Sequence, residues 1–245
     1  MTYWQLTKIN LLMIFRNRNA LFWNLVIPAL LYIGLSLLPI GLILGNTSYS
    51  SFLLPGLIAL MIMQGGIYTL AYWMTDIKNR GIIRQLAVTP VRKTALILSL
   101  MTARSITMIL QALLLTLIGT IFFRVQINGA LIWIPILVIL GGFVFLPIGL
   151  LISTFAKSYD AASPLTAAIG LPLTFLGNVF YPIHFLPQSL QIIAKYLPIT
   201  FLADSLRQVY LSNPTFQDLA YNLYWLLIWI IAIAGLTIWR FKLEE

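Results

Sequence analysis

Long, uninterrupted apolar runs follow one another along the chain. No charged residue occurs between Arg18 and Asp76, and several later stretches are equally apolar. A helix that crosses a bilayer needs about 20 mostly apolar residues, whereas a strand of a membrane barrel has about ten residues of alternating polarity. The pattern therefore predicts an all-α membrane protein with six transmembrane helices. Their expected positions are about 21–44, 52–74, 96–123, 130–155, 161–181 and 219–239.

Polar segments separate these runs and set the predicted connections. Residues 45–51, GNTSYSS, supply a turn between the first two spans. Short loops join most of the later spans, and two longer segments, 75–93 and 182–218, have mixed sequence. No internal repeat is visible. We therefore expect residues 1–245 to form a single transmembrane domain.

The composition agrees with a membrane protein and excludes several other classes. Apolar residues make up 60% of the chain and charged residues 9%, against about 25% charged in a soluble globular protein. This balance rules out an ordinary cytosolic domain, a disordered chain and a nucleic-acid-binding protein, although the net charge is +9. With no Cys and with His184 as its single histidine, the chain lacks a disulfide framework, a thiolate nucleophile and a Cys- or His-cluster metal site.

The distribution of basic residues predicts which ends face the cytoplasm. Among the predicted connections, Arg124, Lys195 and Arg207 are the basic residues on the side opposite the termini. Because cytoplasmic loops are enriched in Lys and Arg, both termini are expected in the cytoplasm. The basic residues on the side of the termini are Lys8, Arg16, Arg18, Lys78, Arg80, Arg84, Arg92, Lys93, Lys157, Arg240 and Lys242.

The sequence lacks the motifs of a self-contained ATPase, carrier or enzyme. It has no G-x-x-x-x-G-K-[ST] nucleotide-binding motif. It has no carboxylate inside a predicted span, where a proton- or sodium-coupled carrier usually needs one. A membrane-embedded lipid-modifying enzyme is the alternative from a different functional class; it would need acidic or nucleophilic residues grouped at a span end, and the sequence shows no such group. Arg104 lies within a predicted span. Because that helix is longer than the hydrocarbon core is thick, its excess can extend into the cytoplasm, which favours a position of Arg104 near the inner interface. The alternative is a charged residue in the transport pathway.

The cytoplasmic segment 76–93 has the pattern of a short helix. Its apolar residues fall on one stripe at helical spacing and its arginines on another face. The stripe comprises Ile82, Ile83, Leu86 and Ala87, the arginines are Arg80 and Arg84, and Gly81 and Pro90 bracket the helix. A loop that only sets the membrane topology does not need its apolar residues on one face of a helix. The pattern favours a helix, and the alternative is a basic loop that only sets topology.

The segment 182–218 predicts two short helices on the outer side. Its prolines interrupt any long helix, and apolar residues fill the stretches 186–197 and 199–211 between them. Such helices are expected to enter the outer leaflet, where backbone breaks are tolerated if protein covers them or a cavity is wet. A plain extracellular loop is the alternative. The prolines are Pro182, Pro187, Pro198 and Pro214.

The second and fifth predicted spans contain small residues, prolines and amides. Small residues permit close approach of helices, and proline permits bending. Gln64 and Asn178 lie inside apolar runs, so each needs a hydrogen-bond partner or a cavity. Hydrogen bonding between helices and a role in a transport pathway are both consistent with these amides.

Three stretches resemble parts of the ABC-2 type transporter permeases. The run 81–90, GIIRQLAVTP, resembles the cytoplasmic coupling helix of that family. The runs 180–187, FYPIHFLP, and 197–207, LPITFLADSLR, are similar to the segment between spans five and six that closes the outer end of the pathway. With the order of six spans, the resemblance covers nearly the whole chain.

The resemblance implies a bacterial exporter that takes its energy from another protein. Each permease would dock a separate ABC ATP-binding subunit, with two copies in the assembly, and that subunit would bind ATP and Mg. The permease itself would hold no cofactor and no metal. A second permease copy, forming a homodimer, and the lipid bilayer are the other expected partners, and nucleic acid is not one. The expected location is the bacterial cell (inner) membrane.

The resemblance also implies roles for particular residues. Contacts with the ATP-binding subunit are expected from Arg80, Gly81, Ile82, Ile83, Arg84, Leu86, Thr89 and Pro90. In the resembled family, spans one, two and five line the pathway and face the dimer axis. Pathway or dimer-interface residues are therefore expected at Met61, Gln64, Tyr68, Phe175, Asn178 and Tyr181. The external gate would comprise Pro182, Pro187, Pro198, Asp204 and Arg207.

The expected substrate is inferred from the character of those pathway residues. They are mostly apolar with few charges, which suits a drug-like, antibiotic or lipid-like amphiphile moved out of the cytoplasm or the inner leaflet. A lipid-linked polysaccharide is the alternative within the same family. Glycan export would favour a wetter channel lined by more aromatic residues.

Overall fold

The computed structural model describes residues 3–38, 48–82, 93–156 and 158–240, and all regular secondary structure in these ranges is helical. A π-helix, Gly65–Thr69, joins α3 directly to α4, and a short 3-10 helix, Ile183–Phe185, precedes α8. The α-helices are α1 (Tyr3–Arg16), α2 (Arg18–Ser36), α3 (Tyr49–Gln64), α4 (Leu70–Asn79), α5 (Lys93–Phe123), α6 (Trp133–Phe155), α7 (Tyr159–Leu176), α8 (Gln188–Lys195), α9 (Pro198–Leu211) and α10 (Phe216–Arg240).

Four helical stretches in the described ranges are long and apolar enough to cross a membrane. Helix α1 and residues 21–36 of α2 form a pair bent by 65°, which would make a fifth span if counted as one. The chain is therefore a multi-pass helical membrane protein, whereas the expected number of six spans is not fully recovered. The four stretches are Tyr49–Asn79, Thr94–Phe123, Trp133–Phe155 and Phe216–Arg240.

Helix α7 accounts for part of this difference. The sequence predicts a fifth span at 161–181, and α7 covers 18 residues, Tyr159–Leu176. Two prolines inside the helix, together with Ser, Thr and Asp side chains, reduce its apolar content. Gly177 takes an extended conformation with ψ 154°, which ends the helix. The predicted end of the first span, at residue 44, lies outside the described residues.

Helix α3 forms the centre of the molecule. It is buried along nearly its whole length because α2, α5, α6 and α9 pack around it. The most apolar 18-residue stretch of Tyr49–Asn79 is 78% buried inside the molecule. The corresponding stretches of Thr94–Phe123 and Phe216–Arg240 are only 33% and 22% buried. Helices α5 and α10 therefore present much of their apolar surface outward, as helices that face lipid or another protein do.

Glycines allow the second span to approach α6 closely. A Cβ atom added to Gly149 of α6 would lie 2.2 Å from the carbonyl oxygen of Gly66. One added to Gly66 would lie 2.6 Å from the Cβ of Phe145. Any larger residue at these positions would push the helices apart. The predicted use of small residues for close packing in the second span is confirmed at Gly66.

Helix α1 lies along the first half of α5. The Asn10 amide nitrogen donates to the Ser99 hydroxyl at 3.1 Å, and the hydroxyls of Tyr3 and Thr102 also form a hydrogen bond. Leu6 is buried on the same side of α1. These polar contacts place the start of the chain against the α5 half that adjoins residue 93.

Helix α8 falls within the short helix expected at 186–197, and α9 matches the one expected at 199–211 except that it begins one residue earlier. Pro187 immediately precedes α8, and Pro198 is the first residue of α9, where a fixed φ and a missing N–H cost nothing. Helix α9 is deeply buried because it packs against α3, α6 and α10. A plain extracellular loop does not fit this packing.

Candidate functional site

The cytoplasmic end predicted for the second span is the end of α4, and it is tied to α6. The Lys78 ammonium donates to the backbone carbonyl of Ser153 at 3.1 Å. Arg80 forms an ion pair with Asp76 at 2.9 Å on the exposed side of the same helix. The first contact joins two helices, whereas the exposed ion pair adds little stability.

Gly81 ends α4 and turns the chain towards the predicted coupling helix. It has a φ of 68°, in the left-handed region that favours glycine at the residue after a helix. The Arg80 and Gly81 amides donate to the carbonyls of Asp76 and Lys78, both at 3.0 Å. Ile82 comes next in the described chain. The remaining expected coupling residues, Ile83, Arg84, Leu86, Thr89 and Pro90, lie outside the described residues.

A buried polar cluster joins residues that the sequence assigned to two different sites. The Arg207 guanidinium donates to the Asp204 carboxylate at 3.0 Å and to the carbonyl of Asn178 at 2.8 Å. The Asn178 side-chain nitrogen donates to the same Asp204 carboxylate. Arg207 also stacks on the Phe52 ring, with its Cζ 3.8 Å from the ring centroid. We call Asn178, Asp204 and Arg207, with Phe52 of α3, the outer cluster.

Close packing of the backbone brings the outer cluster together. A Cβ atom added to Gly56 of α3 would lie 2.3 Å from the carbonyl oxygen of Val179, so only glycine permits this approach. Burial raises the pKa of the Asp204 carboxyl above its usual value, while the Arg207 guanidinium and the Asn178 amide act in the opposite direction. The cluster thus links α3, the segment after α7, and α9 through charge-assisted hydrogen bonds, which are stronger than neutral ones.

The other expected gate and pathway residues near α7 are more exposed. The Tyr181 hydroxyl donates to the carbonyl of Phe175, whose ring is 56% exposed. Pro182 and Pro187 each lie immediately before a short helix. Pro198, by contrast, is buried with the rest of α9.

Tyr68 in the π-helix faces α7. A Cβ atom added to Gly170 of α7 would lie 2.2 Å from the Tyr68 hydroxyl, so the ring rests directly on this glycine. One turn further on, the Tyr72 hydroxyl is hydrogen-bonded to Thr166 of α7 at 3.0 Å. The second span and α7 are therefore in direct contact at these two tyrosines.

Met61 and Gln64 lie elsewhere, towards α2 and α5. Together with Arg104 they line a small cavity of about 50 Å³. An α-helix would place positions 61, 64 and 68 on nearly one face. The π-helix has an extra residue in its turn, which rotates the later part of the span by about 100°. The six expected pathway residues are therefore not brought into one site.

Arg104 belongs to a polar region that the sequence reasoning did not identify. A second, adjoining cavity of about 180 Å³ shares Asn24, Thr69 and Arg104 with the first. Asn10 and Asn17 of the N-terminal segment also line it. Asn10, Asn17 and Asn24 recur every seven residues, which is one side of a helix; this spacing was the available signal. Among the described residues, no three His, Asp or Glu side chains could hold a metal ion.

These features define a class: a multi-pass helical membrane protein with polar groups buried between its helices. The family model described as ABC-2 type transporter matches residues 1–211. The chain therefore belongs to the ABC-2 type transporter family, and the predicted resemblance is confirmed.

Several curated proteins are similar to this chain over much of its length. The inner membrane transport permease YadH of Escherichia coli K12 is 27% identical over 165 residues, 67% of this chain and 64% of YadH. The probable multidrug ABC transporter permease YbhR of the same strain is 24% identical over 190 residues, 78% of this chain and 51% of YbhR. The putative transport permease ycf38 of Pyropia yezoensis is 25% identical over 214 residues, 84% of this chain and 70% of ycf38. The match thus spans less than two-thirds of the length of YadH and YbhR.

Proposed function

We propose that this chain is the membrane subunit of an ATP-driven exporter that is powered by a separate ATP-binding subunit. The observation that carries the proposal is membership of the ABC-2 type transporter family, in a sequence without a nucleotide-binding motif of its own. Two copies of the partner would bind ATP and Mg, and a second copy of this chain would complete a homodimer. The name of YadH, an inner membrane permease, supports a location in the inner membrane.

The end of the second span has features suited to the transmission of force. Lys78 ties α4 to the carbonyl end of α6, and Gly81 fixes the turn that leads into the segment 82–90. A displacement of that segment by the ATP-binding subunit would therefore move α4 and α6 together. In this proposal residues 80–90 make the contact with the partner.

The outer cluster would hold the external side of the permease closed. It links α3, the segment after α7, and α9, because the Arg207 guanidinium donates to the carbonyls of Phe52 and Asn178 and to the Asp204 carboxylate. Helix α9 is buried against three other helices, so opening on this side requires the cluster to move as a unit or to break. Pro182, Pro187 and Pro198 would set the directions in which the short helices leave it.

The proposed substrate is a drug-like, antibiotic or lipid-like amphiphile. The residues expected in the pathway carry few charges, and they include Phe175, an exposed aromatic residue of α7, and Tyr68, which packs against α7. The relative YbhR is named a probable multidrug permease, which favours this class over a lipid-linked polysaccharide.

The experiment tests coupling in the permease co-expressed with the ATP-binding subunit encoded beside it. In the double variant Ile83→Asp and Leu86→Asp, two carboxylates would have to be buried in the partner's groove, which costs several kcal/mol of binding energy. We expect the complex to dissociate on co-purification and substrate-stimulated ATP hydrolysis to be lost. The matched control, Ile83→Leu with Leu86→Ile, should keep both. A double Asp variant that assembles and exports normally would refute the coupling role.

A further inference from the structure

The two adjoining cavities around Arg104 form one polar cleft among α1, α2, the second span and α5. Their volumes are about 180 and 50 Å³, and both are lined by Arg104, Asn24 and Thr69. The amides of Gln64 and Gln111 complete the polar wall of the smaller part. We call this region the Arg104 cleft.

Arg104 has a cationic group without a counter-charge in the cleft. Its Nε is buried and makes no hydrogen bond within the described part of the chain. None of the four described Asp residues forms an ion pair with it. Asp76 pairs with Arg80 and Asp204 with Arg207, Asp218 accepts hydrogen bonds from Thr215, and Asp160 lies in the first turn of α7. A cation at membrane depth normally pairs with an anion or faces water.

Arg104 lies between the start of α5 at Lys93 and the middle of that helix. Arg104 lies eleven residues after Lys93, the first residue of α5, which is about 16 Å along the helix at 1.5 Å per residue. Since α5 is longer than the hydrocarbon core is thick, part of this distance extends beyond the core. The cleft is thus in the half of the bundle that adjoins residue 93.

The remaining walls of the cleft suit an amphiphile better than a small free anion. Apolar side chains line the larger cavity beside the asparagines, among them Met13, Leu21 and Trp73. Next to it, α2 presents the exposed rings of Phe22 and Trp23 outward. A phosphate could accept hydrogen bonds from the guanidinium and the amides while an acyl chain follows the apolar wall.

We propose that the Arg104 cleft binds the anionic phosphate head group of a membrane lipid. The guanidinium supplies the charge, the amides of Asn24, Gln64 and Gln111 supply further hydrogen-bond donors, and the apolar wall receives the upper part of an acyl chain. This assignment does not depend on the partner ATPase or on the identity of the exported substrate.

The test measures lipid binding to the full-length purified permease by native mass spectrometry. Phosphatidylglycerol should bind to the wild-type chain more tightly than phosphatidylcholine with the same acyl chains. In Arg104→Gln we expect affinity for phosphatidylglycerol to fall about tenfold or more, since a hydrogen-bonded charge is lost. Arg104→Lys should keep part of the affinity. Arg240→Gln removes the same charge at an exposed helix end, and should change binding less than about twofold.

Equal binding of phosphatidylglycerol by Arg104→Gln and the wild type would overturn the proposal. If inorganic phosphate binding were lost in the same variant, that result would assign the cleft to a free anion. If Arg104→Gln does not fold, Asn24→Leu serves instead, since Asn24 lines both cavities. It should weaken phosphatidylglycerol binding, and unchanged binding in this variant also counts against the proposal.

Discussion

The ion pair between Arg207 and Asp204 is more deeply buried than the pair between Arg80 and Asp76. The Arg207 guanidinium satisfies the Asp204 carboxylate and the Asn178 carbonyl at the same time, and it stacks on Phe52. Removing it takes the counter-charge from the buried Asp204 carboxylate and this donor from the Asn178 carbonyl, and an unpaired buried polar group is costly.

We predict that Arg207→Met strongly destabilises the permease, because it breaks a buried ion pair from one side. The expected loss is about 3 kcal/mol, or roughly 6–12 °C in melting temperature for a chain of this size. Asp76→Asn breaks the exposed pair with Arg80, and as a control it should cost about 0.5 kcal/mol or less. Thermal unfolding of both purified variants provides the measurement, and equal shifts would contradict the prediction.

The residues of the outer cluster were predictable, but their arrangement was not. Asn178 was singled out as an amide within an apolar run, and Asp204 and Arg207 through a motif. They were assigned to different sites because Asn178 falls in the predicted fifth span, whereas Asp204 and Arg207 fall in the segment that follows it. Their contact depends on the approach of Gly56 to Val179, which no local pattern encodes.

At the scale of elements, the turn at Gly81 sets the direction in which the chain leaves α4. Gly81→Ala places a Cβ in the left-handed region and should cost about 1 kcal/mol. Gly81→Asn should cost less, since asparagine tolerates this conformation. Nothing lies within 4 Å of a Cβ added at Gly81, so the cost comes from the backbone alone.

The measurement for Gly81→Ala combines stability with coupling. We expect a small fall in melting temperature together with a larger fall in substrate-stimulated ATP hydrolysis by the assembled transporter, because the segment after the turn would leave α4 in another direction. Gly235→Ala is the matched control, since it also has open space around the added Cβ. A normal ATPase response in Gly81→Ala would show that the turn does not direct the coupling segment.

Hydropathy was sufficient to predict the long helices but not the irregular ones. The runs that became α5, α6 and α10 are continuous and apolar, so their predicted bounds agree with the structure to within a few residues. Helix α7 is shorter than its predicted span because of its prolines and polar residues. The π-helix contains Gly66, which packs closely against α6, and the sequence pattern alone did not reveal this tertiary contact.

At the scale of the whole molecule, the sequence predicts a fixed orientation that labelling can test. The natural chain has no Cys, so single cysteines introduced at exposed positions report their own location. We expect a membrane-impermeant maleimide to label Asn213→Cys in intact cells. Lys8→Cys should react only after the membrane is opened, because the basic residues favour cytoplasmic termini. The opposite pattern would invert the topology and place the segment 82–90 outside the cell.

The π-helix in the second span has a mechanical consequence. It stores one surplus residue in the middle of a 31-residue helix, at Gly65–Thr69. If that turn tightened to ordinary α geometry, α4 would rotate about the helix axis by about 100° relative to α3 and would shift along the axis by about 1.5 Å. Tyr68 and Tyr72 would then lose their contacts with Gly170 and Thr166 of α7. A local change in helix geometry would thus separate the second span from α7 without unfolding either helix.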